Sequence, residues 1–165
     1  HDTGYTFQVY PYCVKVFKQR WYVVAYSPSK DHINIYALDR IKNVTITNNR
    51  FNLPLDFDGE AFFIDCFGVI ADDDKKTEKV LIKVYANQNR YIRSLPLHHS
   101  QKEEENSADY SIFSYHIRPT FDFQQELLSH GAYIEVLSPK WFRDEINKVI
   151  GEMSSKYINN PKSAL

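Results

Sequence analysis

The sequence predicts a mostly β protein of the α+β class, in which a small β-barrel precedes a β-α-β-β-α-β unit and a C-terminal helix. Three observations carry this prediction. The first third of the chain has short apolar and aromatic runs separated by turn residues, the second half alternates strand and helix patterns, and hydrophobic residues make up 43% of the 165 residues. That proportion permits a packed core and excludes a disordered chain.

Four short strands are predicted in the first third of the chain, at residues 9–17, 21–26, 33–38 and 44–47. Lys18, Gln19 and Arg20 form a tight polar connection between the first two strands, and Ser27 opens a turn-prone run after the second. A meander of such short strands indicates a small barrel.

Alternation along these strands separates an aliphatic face from a face that carries tyrosines and bases. The residues predicted on the aliphatic face are Val14, Val16, Val23, Ala25, Ile33 and Ile35. The residues predicted on the opposite face are Lys15, Tyr22, Tyr26, Asn34 and Tyr36, and Arg40 follows the same alternation. We expect the aliphatic face in the core together with Trp21, and the candidate site on the face of Tyr22.

The second half of the chain predicts a separate unit. Apolar spacing at residues 57–67 predicts a helix that Gly68 ends, and the acidic run at residues 72–74 is the expected boundary, so the predicted domains are residues 5–74 and 79–160. Strands are predicted at 79–85, 111–118 and 133–137, and residues 96–103 are extended but ambiguous. Helices are predicted at 87–94 and, from a capping box of Asp122 and Gln125, up to Gly131. This order is that of a ferredoxin-like fold.

Ser138 and Pro139 are predicted to open a final helix. Its apolar residues follow helical spacing in one stripe, at Phe142, Ile146, Val149, Ile150 and Met153. Such a stripe packs on the body of the protein or on a second subunit.

Catalytic and metal motifs are missing from the sequence. It has no G-x-S-x-G elbow, P-loop or G-x-G-x-x-G pattern, and Cys13 and Cys66 have no redox or metal spacing, so we expect buried free thiols in a reducing cytosol. His98 and His99 point to opposite faces of an extended segment, which disfavours a shared metal ion. The polar run from His98 to Gln101 either supplies hydrogen bonds to a ligand or is an ordinary edge strand. We predict no enzyme, no cofactor and no metal.

The net charge of −1 argues against a nucleic-acid binder that uses its whole surface. Residues 10–42, however, have six cations and two acids, a local net charge of +4, whereas residues 56–78 have a net charge of −6. The basic stretch is where an anion would be steered. No signal peptide or long apolar run is present, so we expect a cytoplasmic protein without membrane contact.

Several short motifs together resemble a known family. Pro11 in the first strand, Trp21-Tyr22-Val23 after a basic turn, and Tyr36-x-x-Asp39-Arg40-Ile41 resemble the WYL domain. Phe51, the 57–68 segment and the β-α-β-β-α-β unit resemble the C-terminal extension of that family. The habitual features of the extension are similar to His99-Ser100-Gln101, Gly131-Ala132 and Val136-Leu137-Ser138-Pro139.

The resemblance implies an Sm-like, SH3-type barrel in a bacterial transcription regulator whose N-terminal helix-turn-helix, missing here, binds promoter DNA. Several members sense a nucleotide or single-stranded DNA, and the extension contributes to dimerisation and ligand capture. The resemblance implies that Tyr22, Tyr36 and Arg40 bind the ligand, with His99 and Gln101 of the extension. Lys15 and Arg20 of the basic stretch complete the predicted ligand-binding set. Two positions depart from the pattern: Val23 replaces a leucine, and Asn34 and Ile35 stand where the family often has an arginine.

We therefore predict a homodimeric effector-sensing region that binds a nucleotide-like ligand or single-stranded nucleic acid. Two alternatives remain open. One is a constitutive nucleic-acid-binding module, Sm-like plus RRM-like, although residues 111–118 lack the RNP1 order of glycine and aromatics. The other is a pure oligomerisation module, supported by the stripe of the last helix.

Overall fold

A computed structural model describes residues 5–71, 74–85 and 88–159. The chain divides into two compact units. Unit 1 comprises His1–Ile64 and Gly68–Ala71, and unit 2 comprises Asp65–Phe67 and Asp72–Leu165. Asp72 and Asp73 of the expected boundary lie outside the described residues, as does Asn87, the first residue of the helix predicted at 87–94.

Unit 1 contains an antiparallel sheet of order β1-β2-β3, formed by β1 (Tyr10–Phe17), β2 (Arg20–Ser27) and β3 (His32–Ala37). These bounds confirm the first three predicted strands to within one residue at each end. Lys18 and Gln19 join β1 to β2 with φ values of 45° and 65°. Two positive φ values are typical of the type I′ turn, whose twist matches that of the flanking strands.

The cross-strand register contradicts the predicted grouping of the two faces. Val14 lies opposite Val23, and Val23 lies opposite Tyr36, so Tyr36 shares the face of the valines. Ile33 and Ile35 belong to the other face, together with Tyr22, because they lie opposite Tyr26 and Val24. Alternation fixes the faces within a strand, but only the register across a turn relates one strand to the next.

The packed face of unit 1 is the one that carries Lys15 and Tyr22. Residues 51–63 pack on this side: the Phe51 ring stacks 4.9 Å from that of Tyr10, and a Cβ placed on Gly59 would lie 3.1 Å from Cys13 Sγ. Burial of Cys13 raises the pKa of its thiol.

The opposite face of the sheet is open at the β1–β2 hairpin. Val14, Val16 and Trp21 are 57%, 50% and 55% exposed. The core position expected for Trp21 and the burial expected for Val14 and Val16 are therefore wrong.

Residues 41–56 form no strand, so the fourth strand predicted at 44–47 is wrong. Val44 and Ile46 are largely exposed. A β-branched run forms a strand only where a neighbouring strand pairs with it, and residues 41–56 pair with none. The described strands form an open sheet, and the Sm-like barrel stays a prediction. The helix predicted at 57–67 is reduced to α1 (Gly59–Phe62), which Asp58 caps by accepting the Glu60 and Ala61 N–H groups at 2.8 and 3.2 Å.

Unit 2 contains an antiparallel sheet of order β5-β6-β4-β7. Its elements follow the predicted β-α-β-β-α-β order. They are β4 (Glu78–Tyr85), α2 (Gln88–Ser94), β5 (Lys102–Asn106), β6 (Tyr110–Ile117), α3 (Phe121–Ser129) and β7 (Ile134–Ser138). The ferredoxin-like assignment itself remains a prediction. The capping box at Asp122 is wrong: Thr120 occupies the N-cap position of α3, because the helix starts directly after Pro119 and Thr120.

One face of this sheet forms the core of unit 2 with α2, α3 and α4 (Lys140–Asn159). The fully buried large side chains include Tyr115, Phe113, Phe123 and Phe142. The strand predicted at 111–118 is confirmed to within one residue at each end, and Phe113, Tyr115 and Ile117 are buried on one face of β6. The α4 stripe is divided, because Phe142 and Ile146 are buried whereas Ile150 and Met153 are about half exposed.

Candidate ligand-binding surface

Lys15 and Tyr22 are brought together by the register of β1 and β2. They lie directly opposite each other, and both are partly buried. The Lys15 ammonium also lies 3.9 Å from the centroid of the Phe63 ring. This cation–π contact holds the lysine beside the tyrosine on the packed face of the sheet.

Arg20 and Arg40 are placed at the same end of the sheet by an ion pair. Tyr22 lies opposite Ala37, and Ala37 is followed at once by the 3₁₀ turn Leu38–Arg40. Arg20 Nε lies 3.2 Å from Asp39 Oδ2 and so ties this turn to the start of β2. Since Arg20 neutralises Asp39, the exposed Arg40 leaves this turn with a net positive charge.

Tyr36 is not part of this group, because it lies on the opposite face of the sheet. Its ring is 5.4 Å from that of Phe7. Burial raises the pKa of Tyr36, and the nearby Ser27 hydroxyl lowers it by less. The predicted pocket of Tyr22, Tyr36 and Arg40 is therefore divided between two faces of unit 1.

The polar run of unit 2 is a turn and not an edge strand, since β5 begins only at Lys102. His98 is buried and its Nδ1 lies 2.7 Å from Ser100 Oγ, whereas His99 is exposed. The Ser100 hydroxyl in turn donates to the His116 carbonyl at 3.1 Å. His99 thus presents its ring to solvent while the residues beside it stabilise the turn.

Gln101 makes three hydrogen bonds within unit 2. Its amide donates to the Ile92 carbonyl at 2.8 Å, and its oxygen accepts from the Leu97 N–H at 3.0 Å and from the Tyr115 hydroxyl at 2.9 Å. Burial raises the pKa of the same Tyr115 hydroxyl. The Gln101 side chain therefore joins α2, the turn and β6.

The described residues contain no cluster of three or more metal-ligating side chains. Among them, no helix is both long and apolar enough to span a bilayer.

Comparison with protein-family models finds two domains in this order. The WYL domain matches residues 1–46, and the WCX domain matches residues 76–154. The chain therefore belongs to the proteins that carry a WYL domain followed by a WCX domain, which confirms the family recognised from the Trp21-Tyr22-Val23 and Asp39-Arg40-Ile41 motifs. Comparison with curated proteins found no match.

Among solved structures, the chain is similar to the proteasome accessory factor B/C (PafBC) of Arthrobacter aurescens, at 15% sequence identity and a TM-score of 0.43. The match covers 95% of this chain and 23% of PafBC. The chain thus spans less than a quarter of the length of that protein.

Proposed function

We propose that the chain is the effector-sensing region of a bacterial helix-turn-helix transcription regulator, and that its ligand is a nucleotide or single-stranded nucleic acid. The ligand binds at the hairpin end of unit 1, to Lys15, Arg20, Tyr22 and Arg40. A helix-turn-helix domain on the same polypeptide contacts promoter DNA, and ligand binding favours one arrangement of a homodimer over another. The family assignment supports the regulatory role, and the chain acts by binding rather than by catalysis.

The single observation that supports this site is that Lys15 lies opposite Tyr22, while the Arg20–Asp39 ion pair ties the turn that contains Arg40 to the start of β2. An aromatic ring beside cations suits a planar anion, through stacking on the ring and charge-assisted hydrogen bonds to phosphate. Tyr36, His99 and Gln101 retain weaker proposed roles. Tyr36 lies on the other face of the sheet, and the Gln101 side chain is occupied by its hydrogen bonds within unit 2.

Fluorescence-anisotropy titration with labelled single-stranded DNA, duplex DNA and RNA tests the proposal. We expect single-strand affinity that persists at physiological salt and is lost in Arg40→Ala. Lys156→Ala, which removes an exposed cation of α4, is the matched control and is expected to bind as the unmodified chain does. Weak binding to all three probes that disappears with salt would be counterion release alone, and would contradict a specific site.

The homodimer is proposed to form through the exposed half of α4. Ile150, Met153 and Tyr157 continue the stripe whose first part, Phe142 and Ile146, is buried in unit 2. A continuous apolar stripe that leaves the body of its own unit is typical of a subunit contact. Ile150→Asp is expected to lower the molar mass measured by light scattering, whereas Lys148→Asp, at an exposed position of the same helix, is expected to leave it unchanged.

The open sheet face of unit 2 gives little support to a constitutive RRM-like module. Lys79 and Lys102 lie 2.9 and 3.1 Å from carboxylate oxygens of Glu104. Lys83 packs over the rings of Tyr85 and Tyr110, which occupies the aromatic surfaces on which bases would stack.

A further inference from the structure

The outer edge of β3 is an unprotected strand edge. β3 is an end strand of the three-stranded sheet and, among the described residues, pairs with β2 alone. Its six residues, HINIYA, pair with β2 without a register shift, and they include no proline, lysine, arginine, aspartate or glutamate. An end strand of this kind presents a row of N–H and carbonyl groups to which another strand can add.

The chain that follows β3 is held on the other side of the sheet. The Asn49 side chain donates to Gln8 Oε1 at 3.1 Å, and the Phe51 ring stacks on that of Tyr10 in β1. β1 and β3 lie on opposite sides of β2, so these contacts hold the segment away from the outer edge of β3. Residues 44–47 therefore leave that edge open in their own chain, despite their strand propensity.

The other three sheet edges of the described residues carry features that oppose strand addition. β1 contains Pro11 and a register shift beside it. β5 contains the charged run Lys102–Glu105 and a register shift against β6. β7 has a register shift against β4, and the Arg143 guanidinium donates to its Val136 carbonyl at 2.6 Å. Proline, charged side chains and bulges are the devices that keep natural edge strands unpaired, so β3 differs from the other three.

The backbone groups of β3 that point outward follow from the pairing of the sheet. The two-residue turn between β1 and β2 makes its flanking pair a hydrogen-bonded one, and hydrogen-bonded pairs alternate along both strands. Val23 therefore turns its backbone groups to β3, and Tyr36 lies opposite it and bonds back to it. By the same alternation, Ile33 and Ile35 turn their N–H groups and carbonyls to the outer edge.

The occupant that fits this edge is the same edge of a second copy, because β3 is the one described strand edge without a protecting feature. In an antiparallel pair about a twofold axis, the outward N–H groups of each β3 meet the carbonyls of the other. Ile33 of one copy then lies opposite Ile35 of its partner, and opposite residues point to the same face, so the packed faces of the two sheets continue into each other. Since β3 has no formal charge, the two copies meet without repulsion.

We propose that two copies of this chain associate by antiparallel pairing of their β3 edges. The pairing joins two three-stranded sheets into one sheet of six strands and satisfies the outward backbone groups of Ile33 and Ile35 in both copies. The contact is separate from the α4 contact and needs no ligand.

Amide hydrogen exchange tests the pairing at the residues themselves. The chain carries Ile150→Asp, which removes the α4 contact, and is compared at concentrations below and above the onset of self-association measured by sedimentation velocity. The Ile33 and Ile35 N–H groups are expected to exchange at least about tenfold more slowly in the associated state. The Asn34 and Tyr36 N–H groups bond to β2 in both states, so they are the internal control and are expected to change far less.

A charge placed on the edge tests the same contact by substitution, again in the Ile150→Asp background. Asn34→Lys puts a lysine at the middle of each β3, where twofold pairing would bring like charges together. Self-association measured by sedimentation velocity is expected to weaken at least about tenfold. The matched control is Asn52→Lys, which makes the same change at an exposed position of the same unit and is expected to associate like the parent chain. Far-ultraviolet circular dichroism checks that both variants are folded.

The proposal is overturned if the Ile150→Asp chain stays monomeric across the concentration range, or if it associates while the exchange of Ile33 and Ile35 is unchanged. A folded Asn34→Lys variant that associates like the parent chain would also overturn it. If that variant does not fold, the exchange measurement decides alone, because it uses the native β3 sequence. Protection gained at residues 44–47 on association would assign the added strand to that segment and overturn the pairing of two β3 edges.

Discussion

Removing the amide of Gln101 tests whether this residue is structural, as its contacts indicate, or part of a ligand site. In Gln101→Leu the side chain keeps its approximate volume but loses three hydrogen bonds, to Ile92, Leu97 and Tyr115. Tyr115 is buried, so its hydroxyl loses this partner inside the core of unit 2.

The cost follows from those three contacts. A hydrogen bond contributes about 0.5–1.5 kcal/mol net, and a buried polar group left without a partner costs about 1–3 kcal/mol. Because Tyr115 and Ile92 are buried and Leu97 is partly buried, we expect the free energy of unfolding to fall by about 3 kcal/mol.

Urea denaturation followed by far-ultraviolet circular dichroism measures this change through the shift of the midpoint at constant slope. Gln125→Leu, at an exposed glutamine of α3, is the matched control and is expected to change the free energy by less than about 0.5 kcal/mol. A loss of under about 0.5 kcal/mol in Gln101→Leu, with oligonucleotide binding abolished, would refute the structural role and return Gln101 to the ligand site.

Two further predictions concern stability. Phe142→Ala removes a fully buried ring and is expected to lower the free energy of unfolding by about 3–5 kcal/mol. Trp21→Ala removes a half-exposed ring and is expected to lower it by less than half as much. Equal losses in urea denaturation would contradict the difference in burial between the two rings. Hydrogen bonds from Lys79, Ser114 and Lys102 lower the pKa of Glu104 from 4.5 to about 2. The stability that this carboxylate contributes is therefore fully present above its unfolded pKa and is lost as the pH falls from 4.5 towards 2. Urea midpoints measured across that pH range are expected to fall less steeply in Glu104→Gln than in the exposed control Glu152→Gln, and identical profiles would refute the assignment.

Local signals in the sequence predict most of the element order. Tight turn residues separate β1 from β2, alternation marks β6, and Gly131 follows the end of α3 with a φ of 60°. These features depend on neighbours along the chain, which the sequence shows directly.

Features that depend on pairing between distant segments were predicted less well. Residues 44–47 have strong strand propensity but form no strand. Propensity does not determine whether a neighbouring strand is available to pair with them. Which face of the sheet carries Tyr36 depends on the register between β2 and β3. Alternation within a single strand does not determine that register.

Ligand binding by the candidate residues stays a prediction. Lys15, Arg20, Tyr22 and Arg40 were selected for chemistry, and the fold places them at one end of one sheet. Gln101 was selected from a family motif, and its three internal hydrogen bonds could not be read from sequence because its partners lie up to fourteen residues away. Trp21 was assigned to the core because large apolar residues are usually buried. The residues that pack on the sheet, however, cover the face of the sheet opposite to Trp21.

The central claim, that the hairpin end of unit 1 binds a nucleotide or a single strand, is tested most directly by nuclear magnetic resonance. Amide chemical shifts of the ¹⁵N-labelled chain are followed during titration with an unlabelled single-stranded oligonucleotide and, separately, with a mononucleotide. The account predicts that the largest shifts fall on Lys15, Arg20, Tyr22 and Arg40. Shifts confined to the sheet face of unit 2, around Lys83 and Tyr110, would contradict it.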